Sequence, residues 1–220
     1  MKINKSPKFL IVGSARHGKD TLAELLNELF GLKFQSSSQA ASDIFIFDRL
    51  KDKYGYETSE ECFEDRVNHR QEWYELICEY NKEDLARLAK GILENADCYV
   101  GMRDHNEITE CMNQGLFDLI IWVDASERLP LEDASSFNID KSIADIIIEN
   151  NGTFEEFKDK VKRLGKLIML TKYGLYPNQI CDCLQPTPTM IPNNTVETWL
   201  FCGTCKKPNL ESPFRESIHN

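Results

Sequence analysis

No apolar stretch in the 220 residues approaches the ~18 consecutive apolar residues of a membrane-spanning helix. The apolar run near the start, Phe9 to Gly13, has five residues, too few for the apolar core of a secretory signal. These two absences predict a cytoplasmic chain with no membrane partner. Positive charge is also in deficit: 26 Lys and Arg face 36 Asp and Glu, giving a formal net charge of -10. That excess repels a phosphate backbone at long range, so no nucleic-acid partner is expected without a local basic patch. There is no internal repeat and no low-complexity tract. Proline is scarce at first, with two of the eight before Tyr173 and six after it. What is present is ordinary for a globular protein: 41% hydrophobic and 28% charged residues can bury a real core. At roughly 150 residues per domain, the length predicts one full domain with a small appendage. Eight cysteines in a reducing compartment read as thiols or metal ligands, not as a disulfide framework.

The run from Lys8 to Gly13 is short, apolar and closed by glycine, which predicts a buried parallel strand. Leu22, Leu25, Leu26, Leu29 and Phe30 then recur at helical spacing over Asp20 to Phe30, with Gly31 as the stop. Thr58 and Glu61 form a capping-box pattern for a helix running to about Cys78. Asn81 is placed to cap another helix carrying Leu85, Leu88, Ala89, Ile92 and Leu93. Strands are expected at Asp97 to Gly101, Phe117 to Val123 and Ala144 to Ile148. Thr153 and Glu156 cap a last helix whose inward face is Phe154, Phe157, Val161, Leu164 and Ile168. Alternating strands and helices predict an α/β fold, a three-layer parallel sheet with helices on both faces. Cys62, Cys78, Cys98 and Cys111 fall in these elements and read as small core residues.

Between the first strand and its helix lies Gly13-Ser-Ala-Arg16-His17-Gly18-Lys19-Asp20-Thr21, with the G-x-x-x-x-G-K spacing of a phosphate-binding loop. Glycines let backbone N–H groups turn toward an anion, the helix start adds its positive end, and Lys19 reaches the β and γ phosphates. The position after the lysine, commonly Ser or Thr, is Asp20, with Thr21 next; either supplies oxygen to Mg²⁺. His17, inside the loop, is a candidate nucleotide contact. Arg66 and Arg70, four apart, share a face of the expected helix and are placed to clasp an acceptor phosphate, or simply to be solvated. Arg103 follows a strand, where parallel sheets present ligand-binding groups, and Glu107 lies one helical turn on, able to orient it or to meet a sugar hydroxyl. Arg128 is either a lid arginine or a loop charge. Asp124 and Asp145 are strand-end acids, open to a water-mediated Mg²⁺ role or to capping. Trp73, Tyr74 and Tyr80 either stack on a base or belong to the core.

These segments resemble phage-type deoxynucleoside monophosphate kinases, whose phosphate loop also ends in G-K-D-T. Gly101-Met-Arg103-Asp-His-Asn-Glu107 is similar to that family's D-x-R-x-x-N-E segment, with Gly101 in place of the aspartate. Ala144-Asp145-Ile-Ile-Ile-Glu149-Asn150-Asn151-Gly152-Thr153 is similar to an A-D-x-x-I-x-N-x-G-[ST] segment shared with dephospho-coenzyme A kinases, where it lies beside the donor adenine. The likeness runs from about Lys8 to Leu170 and implies ATP and Mg²⁺ as cofactors and a deoxynucleoside monophosphate as acceptor, in a phage-encoded enzyme of the host cytoplasm. It implies a nucleotide-side set of Gly13, Arg16, His17, Gly18, Lys19, Asp20, Thr21, Asn150 and Gly152, and a phosphate-handling set of Lys19, Arg66, Arg70, Arg103 and Arg128. Glu107 joins the acceptor side. Two other readings stay open: a related small-molecule kinase such as a dephospho-coenzyme A kinase, and a nucleotide-dependent regulatory protein.

The composition shift near Tyr173 predicts a boundary, with the kinase-like domain over 1–172 and a Cys-rich tail over 173–220. Cys181-Asp-Cys183 and Cys202-Gly-Thr-Cys205 are separated by 18 residues, an arrangement able to enclose a tetrahedral Zn²⁺ in a zinc-ribbon-like module. A tail this small cannot fold on apolar burial alone, and a structural Zn²⁺ supplies the missing folding energy.

Overall fold

The computed structural model describes residues 7–131 and 137–173, together with 189–190, 197–198 and 204. Five strands, β1 (Phe9–Val12), β2 (Phe34–Ser36), β3 (Cys98–Val100), β4 (Leu119–Asp124) and β5 (Ile146–Glu149), form one sheet in spatial order β2-β3-β1-β4-β5. Every pairing is parallel, with Ile11 opposite both Val100 and Ile121. The helices are α1 (Lys19–Phe30), α2 (Ser37–Ala41), α3 (Phe47–Tyr54), α4 (Ser59–Asp65), α5 (Arg70–Asn81), α6 (Arg87–Asn95), α7 (His105–Asn113) and α8 (Phe154–Tyr173). The fold is α/β, a five-stranded parallel sheet flanked by helices. Among the described residues, those within 8–20 and 33–151 form one compact unit, and Pro7, 21–32 and those beyond 151 form another.

In the sheet unit the central strand β1 is buried along its whole length, as its unbroken apolar run requires. Leu10, Val12, Tyr99, Ile120 and Trp122 point to one face and join a core built with Ala40, Ala41, Ile46, Leu88, Ile92 and Ile108. Because all strands are parallel, their carboxyl ends lie along one edge. That edge gathers the loop after β1, Gly101 to Arg103 after β3, Asp124 to Arg128 at and after β4, and Asn150 after β5, the place where open α/β sheets bind ligands.

The expected helix from Thr58 to Cys78 is two helices. Thr58 caps α4 as predicted, its side chain accepting from the Glu61 N–H. The chain then breaks at Arg66 to His69, because the Asp65 carboxylate accepts from Asn68 Nδ2 at 2.6 Å, His69 Nε2 at 3.0 Å and Tyr56 Oη at 2.6 Å. Those bonds favour a turn over continued helix. Asn81 ends α5 instead of opening α6, yet its Oδ1 still accepts the Leu88 N–H at 3.2 Å. Leu85 lies in the link between these helices and is exposed. Cys62, Cys98 and Cys111 are core residues, as expected, whereas Cys78 is exposed.

In the second unit, Leu22, Leu25, Leu26, Leu29 and Phe30 of α1 are buried, and so are Phe157, Val161, Leu164 and Ile168 of α8. A Cβ on Gly165 would lie 2.1 Å from the Phe30 ring, so glycine lets α8 approach α1 closely. Thr153 and Glu156 form the expected reciprocal cap, Glu156 Oε2 accepting the Thr153 N–H at 2.8 Å and Thr153 Oγ1 accepting the Glu156 N–H at 3.3 Å. Phe154 is exposed, contrary to expectation: it opens the helix, ahead of the buried stripe. Thr189–Met190 pairs antiparallel with Glu197–Thr198. No helix among the described residues is long and apolar enough to cross a membrane.

Candidate phosphate-binding site

The loop between β1 and α1 bends through three residues with positive φ, Gly13 at 140°, Arg16 at 64° and Gly18 at 104°. Such a path folds successive N–H groups around one point, the form of an anion-binding nest. At Gly13 the constraint is double: its φ is disfavoured for other residues, and a Cβ there would sit 2.4 Å from the Val123 carbonyl oxygen of β4. Gly13→Ala is therefore expected to destabilise the protein by about 3 kcal/mol, lowering Tm by about 6–12 °C in a thermal melt. An unchanged Tm would contradict the tight approach. Lys19 is the first residue of α1, and its Nζ donates to the Ser14 carbonyl at 2.8 Å, which lays the ammonium across the loop. Asp20, next along, is exposed. Its carboxylate and the hydroxyl of Thr21 are hard oxygen donors of the kind Mg²⁺ takes. Thr21 and Gly152 belong to the second unit.

His17 has no exposed surface. Its Nδ1 accepts the Ala125 N–H at 3.0 Å and its Nε2 lies 3.2 Å from the Pro130 carbonyl. Asn150 Nδ2 donates to the His17 carbonyl at 2.9 Å, and Arg128 Nε donates to the Asn150 carbonyl at 2.6 Å. Asp124, a buried strand-end acid, is paired with Lys141 and accepts the Ser126 N–H at 3.1 Å. Burial works to raise its pKa, but Lys141 and Ser126 more than offset this and hold the carboxyl below its usual range. Asp145 is engaged as well, accepting the Ile120 N–H at 2.8 Å. The lysine was not foreseen: nothing in its sequence neighbourhood marks Lys141 as a partner for an acid 17 residues earlier.

Arg66 and Arg70 do not share a helix, since Arg66 closes α4 and Arg70 opens α5. The break nevertheless leaves them close enough to interact. Arg66 is half-buried with its guanidinium 3.7 Å from the Phe63 ring centroid, and its Nη1 donates to the Phe63 carbonyl at 2.8 Å. Burial lowers its pKa, the Arg70 charge lowers it further, and the Asp20 carboxylate raises it. The Arg70 and Asp20 charges are thus both felt at Arg66.

Arg103 is exposed, two residues after Gly101, whose φ of 94° suits glycine better than the aspartate of the resembled pattern. Asp104 caps α7 through the N–H groups of Asn106 and Glu107. Glu107 accepts from Asn81 Nδ2 at 2.8 Å, and burial raises its carboxyl pKa against the opposing effect of that bond. Trp73 is buried, Tyr80 stacks on Phe45 with ring centroids 4.1 Å apart, and Tyr74 is exposed.

Cys181, Cys183, Cys202 and Cys205 lie outside the described residues. No protein family and no curated protein matches the chain. Among solved structures it is similar to a shikimate kinase from Aquifex aeolicus, with 12% identity, 73% of this chain and 96% of that one covered, and a TM-score of 0.40. A sugar kinase from Janibacter sp. is similar at 12% identity over 79% of this chain and 98% of that one, with a TM-score of 0.37. Likenesses this distant do not bear on what the chain acts upon.

Proposed function

We propose that this chain transfers the γ-phosphoryl group of ATP to a deoxynucleoside monophosphate. The observation that carries the reading is the phosphate-type loop on the central strand, bent through positive φ at Gly13, Arg16 and Gly18 with the Lys19 ammonium laid across it on the Ser14 carbonyl. Transfer brings two polyanions together and spreads charge over the moving group, so cations on both sides do most of the work. An acceptor phosphate oxygen attacks Pγ while the bond from Pγ to the β-γ bridging oxygen breaks, leaving ADP and a deoxynucleoside diphosphate. The loop N–H groups and Lys19 bind the β and γ phosphates. Arg66 and Arg70 bind the acceptor phosphate and reduce its repulsion toward ATP, and Arg103 adds positive charge from the same sheet edge. Asp20 and Thr21 would hold Mg²⁺ through their side-chain oxygens, and the ion would supply positive charge against the phosphates. The test is ADP release from Mg²⁺-ATP with each deoxynucleoside monophosphate in turn. The reading expects strong stimulation by at least one of them. Stimulation by dephospho-coenzyme A alone, or slow turnover indifferent to any acceptor, would overturn it.

The domain over 1–172 is proposed to carry this activity, and the tail over 173–220 to hold one structural Zn²⁺ through Cys181, Cys183, Cys202 and Cys205. Two thiolate pairs converging on one ion stabilise a segment with few apolar residues. Elemental analysis of protein purified without chelator is expected to give about one Zn²⁺ per chain. Protein free of zinc would refute this assignment.

A further inference from the structure

A histidine with no exposed surface, inside a loop shaped to meet an anion, needs a physical reason. Its ring hydrogen bonds supply one. Nδ1 accepts from the Ala125 N–H at 3.0 Å, so it carries no proton, and Nε2–H donates to the Pro130 carbonyl at 3.2 Å. The neutral ring joins the phosphate loop to the chain leaving β4. The His17 carbonyl takes a second tie, from Asn150 Nδ2 at 2.9 Å. Asn150 is fixed in turn at both backbone groups, its N–H to Asp124 O and its carbonyl to Arg128 Nε, each at 2.6 Å. Asn151 Oδ1 accepts the Glu127 N–H at 3.2 Å, closing a second link between the loops after β4 and β5.

The loop needs such support. Its positive φ at Arg16, a residue with a side chain, lies between two glycines that are also at positive φ. Conformations of this kind persist only where the surroundings over-determine them. We propose that His17, Asn150 and Arg128 form a latch behind the phosphate loop, setting the affinity for ATP by holding the loop backbone in its binding shape and not by touching the nucleotide. They are positioning residues in this account, which rests on the reading of the loop as the ATP site. A loop fixed before binding loses less freedom when its N–H groups close on phosphate, so losing the latch weakens ATP binding while the acceptor side is spared.

Calorimetric titration of the full-length chain with Mg²⁺-ATP tests this, alongside KM for ATP and for the acceptor. His17→Leu keeps the bulk and loses both ring bonds, and is expected to weaken ATP binding about tenfold, with Asn150→Ala weakening it about threefold to tenfold. The double variant should match the weaker-binding single variant, because both act through one latch. His17→Asn, whose Oδ1 can still accept the Ala125 N–H, should recover part of the loss, and the acceptor KM should stay within about twofold throughout. Should His17→Leu fail to fold, the half-buried Asn150 and exposed Arg128, each changed to Ala, carry the same test. Wild-type affinity in the single variants, or losses that multiply in the double variant, would overturn the latch. A wild-type chain that binds no ATP would instead overturn the ATP reading and the latch with it, so the two failures are told apart.

Discussion

Lys19→Ala is expected to lower acceptor phosphorylation by about 10³-fold or more, which corresponds to about 4 kcal/mol of lost transition-state stabilisation. The ammonium lies across the loop and is the cation that the sequence marks for the β and γ phosphates, and phosphoryl transfer offers little other chemistry for a side chain to perform. The fold should be spared. Lys19 sits at the first position of α1, and its Nζ contact runs to the Ser14 carbonyl within the same loop. Lys19 is buried but is not a member of the hydrophobic core. Initial rates with saturating ATP, together with a thermal melt, check both halves. Turnover within a few-fold of wild type would contradict the assignment of this loop to ATP, and a collapsed melt would assign Lys19 to stability instead.

Arg66→Ala carries the second-largest expected effect, a fall of about 10²-fold in kcat/KM for the acceptor with KM for ATP changed by less than about threefold. Arg66 is held by the Phe63 ring and carbonyl, so its guanidinium arrives oriented at the place where Arg70 and Asp20 act on it. Arg66→Lys keeps the charge but loses the flat stack and the fork of donors, and should recover only part of the activity. If both variants show wild-type acceptor kinetics, the pair is a solvated surface feature and the acceptor phosphate binds elsewhere.

The sequence made some of this legible and hid the rest for identifiable reasons. Phe9 to Gly13 and the leucines of α1 were clear because a buried strand and an amphipathic helix each repeat one period without interruption. The segment from Ser37 to Tyr54 was not, because the helical path widens into a π-turn at Ser42–Ile46. Its buried apolar residues, Ala40, Ala41, Phe45, Ile46 and Leu50, therefore step by one and four places in turn, a five-residue repeat that a 3.6-residue template does not collect. β2 escaped notice because three half-buried residues carry almost no pattern. The break between α4 and α5 depends on Tyr56, Asn68 and His69 converging on Asp65, side-chain bonds to which hydrophobic spacing is blind.

The candidate site divides in the same way. Glycines and a lysine at fixed spacing announce a phosphate loop, since the backbone path demands them locally. The action of Asp20 on Arg66 and the tie from Asn150 to the His17 carbonyl join residues 46 and 133 places apart, which only the folded chain brings together, and Arg128 reaches the loop through Asn150. His17 illustrates the difference: spacing placed it in the loop, but its burial and the engagement of both ring nitrogens come from Ala125 and Pro130.

The central claim is that the γ-phosphoryl group passes to a nucleotide acceptor and not to water. Incubating the full-length chain with Mg²⁺ and ATP labelled in the γ-phosphoryl group, in the presence of the four deoxynucleoside monophosphates, and separating the products tests it directly. The account predicts label in the β position of at least one deoxynucleoside diphosphate, and none above background with Lys19→Ala. Label recovered solely as inorganic phosphate, at a rate the acceptors do not change, would contradict it.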